Sequence, residues 1–170
     1  MPMPRKPTQT AMDGGPGQCP EAPTDSLWQQ YTRTANAAFA MRRNEAARAH
    51  YEDALCLAER LLHQAEAGGG PSQAAAIFVI SHHNLAELAL AMGRQGDATD
   101  HYRSAFDGLL ALAGKQSAPQ GLRQSCAAHL QAATVALAHH LQFCGAPART
   151  IAKEITRARN TVLGPRGRPC

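Results

Sequence analysis

Aromatic side chains are scarce in this chain, at 5% of its 170 residues, whereas alanine is its commonest residue. A β-sheet protein would need more valine, isoleucine, threonine and aromatic residues, so the composition favours closely packed helices. Hydrophobic residues make up 44% of the chain. That fraction is close to the globular average and excludes a chain that is disordered throughout.

Export and membrane signals are also missing from the sequence. No apolar run approaches the roughly 18 residues that a membrane span needs. The N-terminal segment MPMPRKPTQT has no apolar stretch behind its basic pair, so it is not a secretory signal. We therefore expect a cytoplasmic protein that does not contact a membrane.

The cysteine and charge patterns exclude two further classes. The five cysteines are an odd number at irregular spacing, without a Cys-x-x-Cys pair, so they fit neither a disulfide framework nor a zinc module. The net charge is +4, but the central part of the chain is nearly balanced and has no basic stripe. Few aromatic residues are present to stack on bases. We therefore expect no nucleic-acid partner.

Proline and glycine divide the chain into a leader, a helical domain and a tail. Residues 1–24 hold six prolines and are predicted to be a disordered leader, residues 25–164 form the domain, and residues 165–170 form a disordered basic tail. Breaks within the domain separate six predicted helices, at about residues 26–41, 44–66, 72–92, 96–113, 120–143 and 147–162. Short turns make successive helices antiparallel, so the predicted fold is all-α and consists of three helical hairpins.

Two segments of the chain match each other without a gap at a shift of 51 residues. Small residues where two helices cross, followed one turn later by a large tyrosine, would let stacked hairpins interdigitate. The main matched pairs are Ala35 with Ala86, Ala47 with Ala98, Tyr51 with Tyr102, and Ala54 with Ala105. A degenerate third copy without the aromatic residue is predicted at Val135, Ala136, Ala148, Ala152 and Ile155.

This pattern resembles the tetratricopeptide repeat (TPR), with a small residue in the first helix, glycine at the turn, and alanine, an aromatic residue and alanine in the second helix. The second copy matches at Ala86, Gly93, Ala98, Tyr102 and Ala105, whereas the first has Arg42 at the turn. The resemblance covers about residues 28–163, but its period of 51 exceeds the usual period of about 34. The chain looks like a small bacterial TPR-like protein with stretched repeats. The resemblance implies a right-handed superhelix of three stacked hairpins.

The first helices of such hairpins line a concave surface, which in proteins of this type usually grips a peptide or another protein. The leading hypothesis is therefore a protein–protein interaction module, an adaptor or small chaperone, without catalysis and without a cofactor. Placing the motif on this chain predicts eight partner-binding residues: Asn36, Phe39, His83, Asn84, Glu87, Leu90, Leu137 and His140.

Two alternatives stay open. No capping helix follows the last helix, so a self-associating scaffold or homodimer would use its apolar residues Ile151, Ile155, Val162 and Leu163. A metal site is the other alternative. His83 and Glu87 lie one helical turn apart, and His140 could approach them if the third hairpin stacks beside the second. The sequence has no nucleophile motif and no phosphate-binding glycine loop, so we expect no enzyme.

Overall fold

The computed structural model describes residues 23–163, and this range contains six α-helices and no strand. The helices are α1 (Asp25–Ala40), α2 (Asn44–Glu66), α3 (Ala74–Ala91), α4 (Gln95–Gly114), α5 (Gln120–Phe143) and α6 (Ala148–Leu163). The prediction of an all-α chain with six helices is confirmed, and each end lies within two residues of its predicted position. The predicted tail, and all but two residues of the predicted leader, lie outside the described residues.

The helix pairs α1–α2, α3–α4 and α5–α6 are closed by the same kind of backbone turn. After α3, Gly93 adopts a φ of +73°, and the N–H of Arg94 donates to the carbonyl of Ala89 at 2.8 Å. Gly145 has the same φ in the turn after α5. In the turn after α1 the corresponding residue is Arg42, with a φ of +58°. That conformation favours glycine, because a Cβ atom makes it costly.

Residues of the first two hairpins that lie 51 positions apart have closely similar surroundings. The matched alanines of the sequence pattern, Ala35, Ala86, Ala47, Ala98, Ala54 and Ala105, are at most 1% exposed. Tyr51 and Tyr102 are 3% and 6% exposed. The predicted packing roles of these small and large residues therefore hold in both hairpins.

Helix contacts connect the hairpins into a layered arrangement. Successive helices pack against each other along the chain, and α3 also contacts α5 while α4 contacts α6. The indole N–H of Trp28 on α1 donates to Ser81 on α3 at 2.8 Å. The largest apolar cluster includes Phe106, Leu109 and Leu130, all fully buried. The second and third hairpins thus share one core, which fixes α5 relative to α3 and α4.

The predicted third copy of the sequence pattern is wrong. Val135 is 63% exposed, and Ala148, Ala152 and Ile155 are exposed as well. The turn after α5 explains the error, because its closing bond joins Ala146 to Leu141, 52 residues after the equivalent bond from Arg94 to Ala89, whereas the predicted positions lie 50 residues after those of the second copy. The buried side of α5 is instead formed by Leu122, Cys126, Leu130, Ala133, Leu137 and Leu141.

Helix α3 is the only described helix long and apolar enough to cross a membrane by length and composition alone. Its 18 residues have a mean hydropathy of 1.3, and 61% of them are buried inside the protein. A helix packed among other helices on several sides needs such a composition. Its hydropathy is therefore weak evidence for a membrane span.

Candidate functional site

A surface groove lies across the second and third hairpins, with α3 and α4 on one side and α5 on the other. We call it the central groove, and its volume is about 910 Å³. Its lining consists of His83, Glu87 and Leu90 from α3, Tyr102 from α4, and Ala128, Gln131, Ala132, Val135, Ala136, His139, His140 and Phe143 from α5. The small side chains of α5 leave the space open. Phe143, which is 70% exposed, stands at its end.

A single carboxylate lies on the α3 side of this groove. The Tyr102 hydroxyl donates to Glu87 Oε1 at 2.7 Å, so the carboxylate is held by a side chain whose ring is buried. Glu87 is exposed and forms no ion pair with any residue of the described range. Its charge is therefore available to a bound cationic group.

Two histidines flank Tyr102 and complete the polar wall. The ring centroid of Tyr102 lies 5.3 Å from that of His83 and 5.0 Å from that of His140. Burial lowers the pKa of both histidines, so both are mainly uncharged at neutral pH. Glu87 is the only Asp, Glu, Lys or Arg among the lining residues. The central groove is consequently mainly apolar along α5, where Gln131, His139 and His140 are its polar residues, and negatively charged on α3.

The helices that form this groove fall within one family match. The family model described as Protein of unknown function (DUF2753) matches residues 26–163, which cover every helix except the first residue of α1. The chain belongs to the DUF2753 family. No curated protein and no solved structure matches it. Both sides of the central groove therefore lie in the DUF2753 region.

Four of the eight predicted partner-binding residues line the central groove of this DUF2753 protein: His83, Glu87, Leu90 and His140. Three of them lie at one-turn spacing on α3, where the sequence pattern is undistorted. His140 is only 3% exposed, and its Nε2 lies 2.8 Å from the Thr99 hydroxyl. His140 is therefore a buried support of the polar wall, and its ring is not free to bind a partner.

The other four predicted residues lie outside this lining. Asn36 is exposed on the first hairpin and accepts a hydrogen bond from the Tyr51 hydroxyl at 2.5 Å. Phe39 packs against the core of that hairpin, and Asn84 is half-buried on α3. Leu137 is fully buried in the core, so the prediction that it contacts a partner is wrong. Helix α5 turns its leucines inward and its alanines towards the groove.

Apart from His140, the residues of α5 in the groove are ones that the sequence did not predict. Ala128, Ala132, Val135 and Ala136 are apolar residues of this lining, and their position follows from the leucine stripe on the opposite side of α5. Leucines at helical spacing mark the buried side of an amphipathic helix. Tyr102 is a core residue as predicted, but its ring also reaches the groove.

The histidines of the DUF2753 region do not assemble a metal site. Within residues 23–163 no three His, Cys, Asp or Glu side chains are placed to hold a metal ion. His82 and His101 form a close pair, with their Nδ1 atoms 3.2 Å apart. Burial, with a smaller contribution from His101, lowers the pKa of His82 to about 4. His82 and His101 lie 51 residues after Tyr31 and His50, whose rings also contact each other in the first hairpin. This correspondence is in line with the predicted packing role of His50 and His101.

Proposed function

We propose that this protein is a protein–protein interaction module of TPR-like type that binds a partner segment in the central groove and performs no catalysis. In this proposal the three hairpins stack as a right-handed superhelix. The equal burial of residues 51 positions apart supports this stacking in the first two hairpins. The contacts of α3 with α5 and of α4 with α6 support it in the last two.

The position of Glu87 beside an apolar groove is the observation that carries the proposal. Val135 and Phe143 are 63% and 70% exposed and both line the groove, and an exposed apolar surface of this kind typically marks an interaction site. Covering a side chain of this size stabilises a complex by about 1.5–3 kcal/mol. The Glu87 carboxylate is held in position and is not part of an ion pair with a described residue. It adds specificity, since it stabilises a cation at one place in the groove.

The same geometry defines the chemistry of the bound segment. Its apolar side chains would lie along the alanines of α5, and a lysine or arginine would reach Glu87. Small side chains at Ala128, Ala132 and Ala136 allow the backbone of either an extended or a helical segment to approach closely. Tyr102 and Leu90 would contact the apolar part of the basic side chain.

Quantitative affinity capture from the native lysate tests this function. Wild type is compared with Glu87→Lys, which reverses the charge of the groove, and with Phe143→Ala, which removes its apolar end. Glu45→Lys is the matched control. Glu45 is exposed at the start of α2, so this substitution makes the same change of charge away from the groove. Circular dichroism first establishes that all four proteins have the same helical content.

The proposal predicts one or more partners retained by wild type and by Glu45→Lys but depleted by both groove variants. Equal recovery by all four folded proteins, or recovery of nothing above background, contradicts a role for the central groove. Loss with Glu45→Lys as well would mean that net charge, rather than the groove, governs capture.

A further inference from the structure

A second apolar groove lies on the outer side of the last hairpin, between α5 and α6. We call it the end groove, and its volume is about 730 Å³. Ile155, Val162 and Leu163 of α6, three of its lining residues, are 46%, 52% and 58% exposed. It shares Ala128, Gln131, Val135 and His139 with the central groove, so the outward side of α5 forms a ridge between the two grooves.

Ion pairs hold the inward side of α6 against the protein, whereas Ile155, Val162 and Leu163 do not. Glu154 is 5% exposed, and its Oε2 atom accepts from Arg157 at 2.6 Å while its Oε1 atom lies 3.6 Å from Arg103 on α4. Arg157 also pairs with Asp107 on α4 at 3.0 Å. This network fixes the rotation of α6. Ile155 and Val162 are thereby left exposed in the end groove.

The end groove has the opposite charge to the central groove. Among the residues that the structure describes, no Asp or Glu lines it, whereas Arg159 does. Arg149 is exposed on the same helix, and neither arginine forms an ion pair with a described residue. Arg159 therefore accompanies the exposed apolar residues of α6 in the end groove.

We infer that the end groove is a second docking site, and that its occupant is an amphipathic helix of another protein with acidic residues beside its apolar stripe. The valley between two antiparallel helices accepts the apolar ridge of a third helix. Acidic flanks would pair with Arg159. A second copy of this chain fits less well, because a two-fold contact through this surface would offer Arg159 no acidic residue of the described lining to pair with.

Selection from a displayed library of helical peptides tests this inference. Each peptide carries apolar residues at i, i+3, i+4, i+7 and i+11, and all flanking positions are randomised. The bait is the full chain, and the affinity of the selected peptides is then measured by fluorescence anisotropy. The variants are Val162→Glu and Arg159→Glu, both at exposed positions outside the central groove, and Glu87→Lys serves as the control.

The expected selection is enriched in Asp and Glu at the flanks. Val162→Glu should weaken binding of the selected peptides about tenfold or more, as at an interface anchor. Arg159→Glu should weaken it less, by a factor that decreases as ionic strength rises, and Glu87→Lys should leave it unchanged. Loss of binding with Glu87→Lys but not with Val162→Glu would place the peptides in the central groove and overturn the inference.

Three further results would also overturn it. The first is enrichment of basic or uncharged flanks, and the second is no enrichment above a bait that carries Val162→Glu. The third is a dimer in sedimentation velocity that Val162→Glu converts to a monomer, since the end groove would then be covered by a second copy. None of these results depends on whether the central groove binds a partner.

Discussion

The Tyr102 hydroxyl donates to Glu87 across 2.7 Å, which joins a core residue to the only carboxylate in the central groove. Fifty-one residues earlier, Tyr51 donates to Asn36 in the same way at 2.5 Å. The two hairpins thus share a hydrogen bond but differ in charge at its acceptor. The position that is neutral in the first hairpin carries the charge of the groove in the second.

Tyr102→Phe should lower the free energy of unfolding by about 1–2 kcal/mol, because it removes a hydrogen bond to a charged acceptor. Urea unfolding of wild type, Tyr102→Phe, Glu87→Leu and the double variant gives the coupling between the two residues. We expect a coupling of about 1 kcal/mol. A coupling near zero would mean that Tyr102 does not position the carboxylate in solution.

Substitutions at the turn residues of the first two hairpins should change the free energy of unfolding in opposite directions. Arg42→Gly relieves a left-handed backbone and should stabilise the protein by about 0.5–1 kcal/mol, whereas Gly93→Ala should cost about 1 kcal/mol. A Cβ atom at Gly93 would meet nothing within 4 Å, so this cost arises from the backbone alone. Thermal unfolding measures both changes. Equal effects of the same sign would refute the correspondence of the two turns.

Gly108 of α4 is required by the close approach of Phe78. A Cβ atom at position 108 would lie 2.8 Å from Cε1 of that ring, too near for either side chain to stay in place. Gly108→Ala should therefore destabilise the protein by about 1–3 kcal/mol, despite the better helix propensity of alanine. Gly121→Ala is the control, because nothing lies within 4 Å of its Cβ atom. It should be neutral or stabilising by up to about 1 kcal/mol in the same urea titrations.

Stability should fall as the pH decreases below the usual histidine pKa. Burial and the neighbouring His101 lower the pKa of His82 to about 4 from its ordinary 6.5. Between these values the unfolded chain binds a proton that the folded chain does not, so acid favours unfolding. The contribution of His82 is complete above the ordinary value and is lost as the pH falls towards about 4. Going from about pH 7.5 to about pH 5 should cost about 2 kcal/mol for this residue.

His82→Phe keeps a ring against Phe78 but cannot titrate, so its stability should change less across the same range. Urea unfolding at several pH values compares it with wild type. Burial lowers the pKa values of His83, His101 and His140 as well, so a smaller slope should remain. An unchanged slope in His82→Phe would show that His82 is not the main proton-linked group.

The sequence predicts the helices well because their ends are marked locally. The Thr24 hydroxyl accepts from the N–H of Leu27 and marks the start of α1. The glycines of the turns mark the ends of helices. Both signals act whatever the tertiary contacts are. The α3 side of the central groove is likewise predictable. His83 and Glu87 lie in a hairpin that keeps the matched pattern of small and large residues.

The α5 side could not be predicted by extending the 51-residue shift, since the last turn lies one residue later and the tyrosine is missing. The predicted position of Leu137 lies 50 residues after Glu87, whereas the last turn lies 52 residues after the turn of the second hairpin. Two residues rotate a helix by about 200°, which puts Leu137 in the core instead of the groove. The side of α5 that faces the groove depends on which apolar residues the neighbouring hairpin buries. Phe143 is likewise placed by tertiary contacts, since nothing local marks an aromatic residue at a helix end as exposed.

Photo-crosslinking from the floor of the central groove tests the central claim most directly. A benzoylphenylalanine replaces Ala132, which is exposed on α5, and a control carries it in place of Glu52, which is exposed on α2. After irradiation in cells of the native host, we expect a discrete crosslinked partner from position 132. Glu87→Lys should abolish this product, and position 52 should not give it. No product from position 132, or the same products from both positions, would contradict a partner-binding central groove.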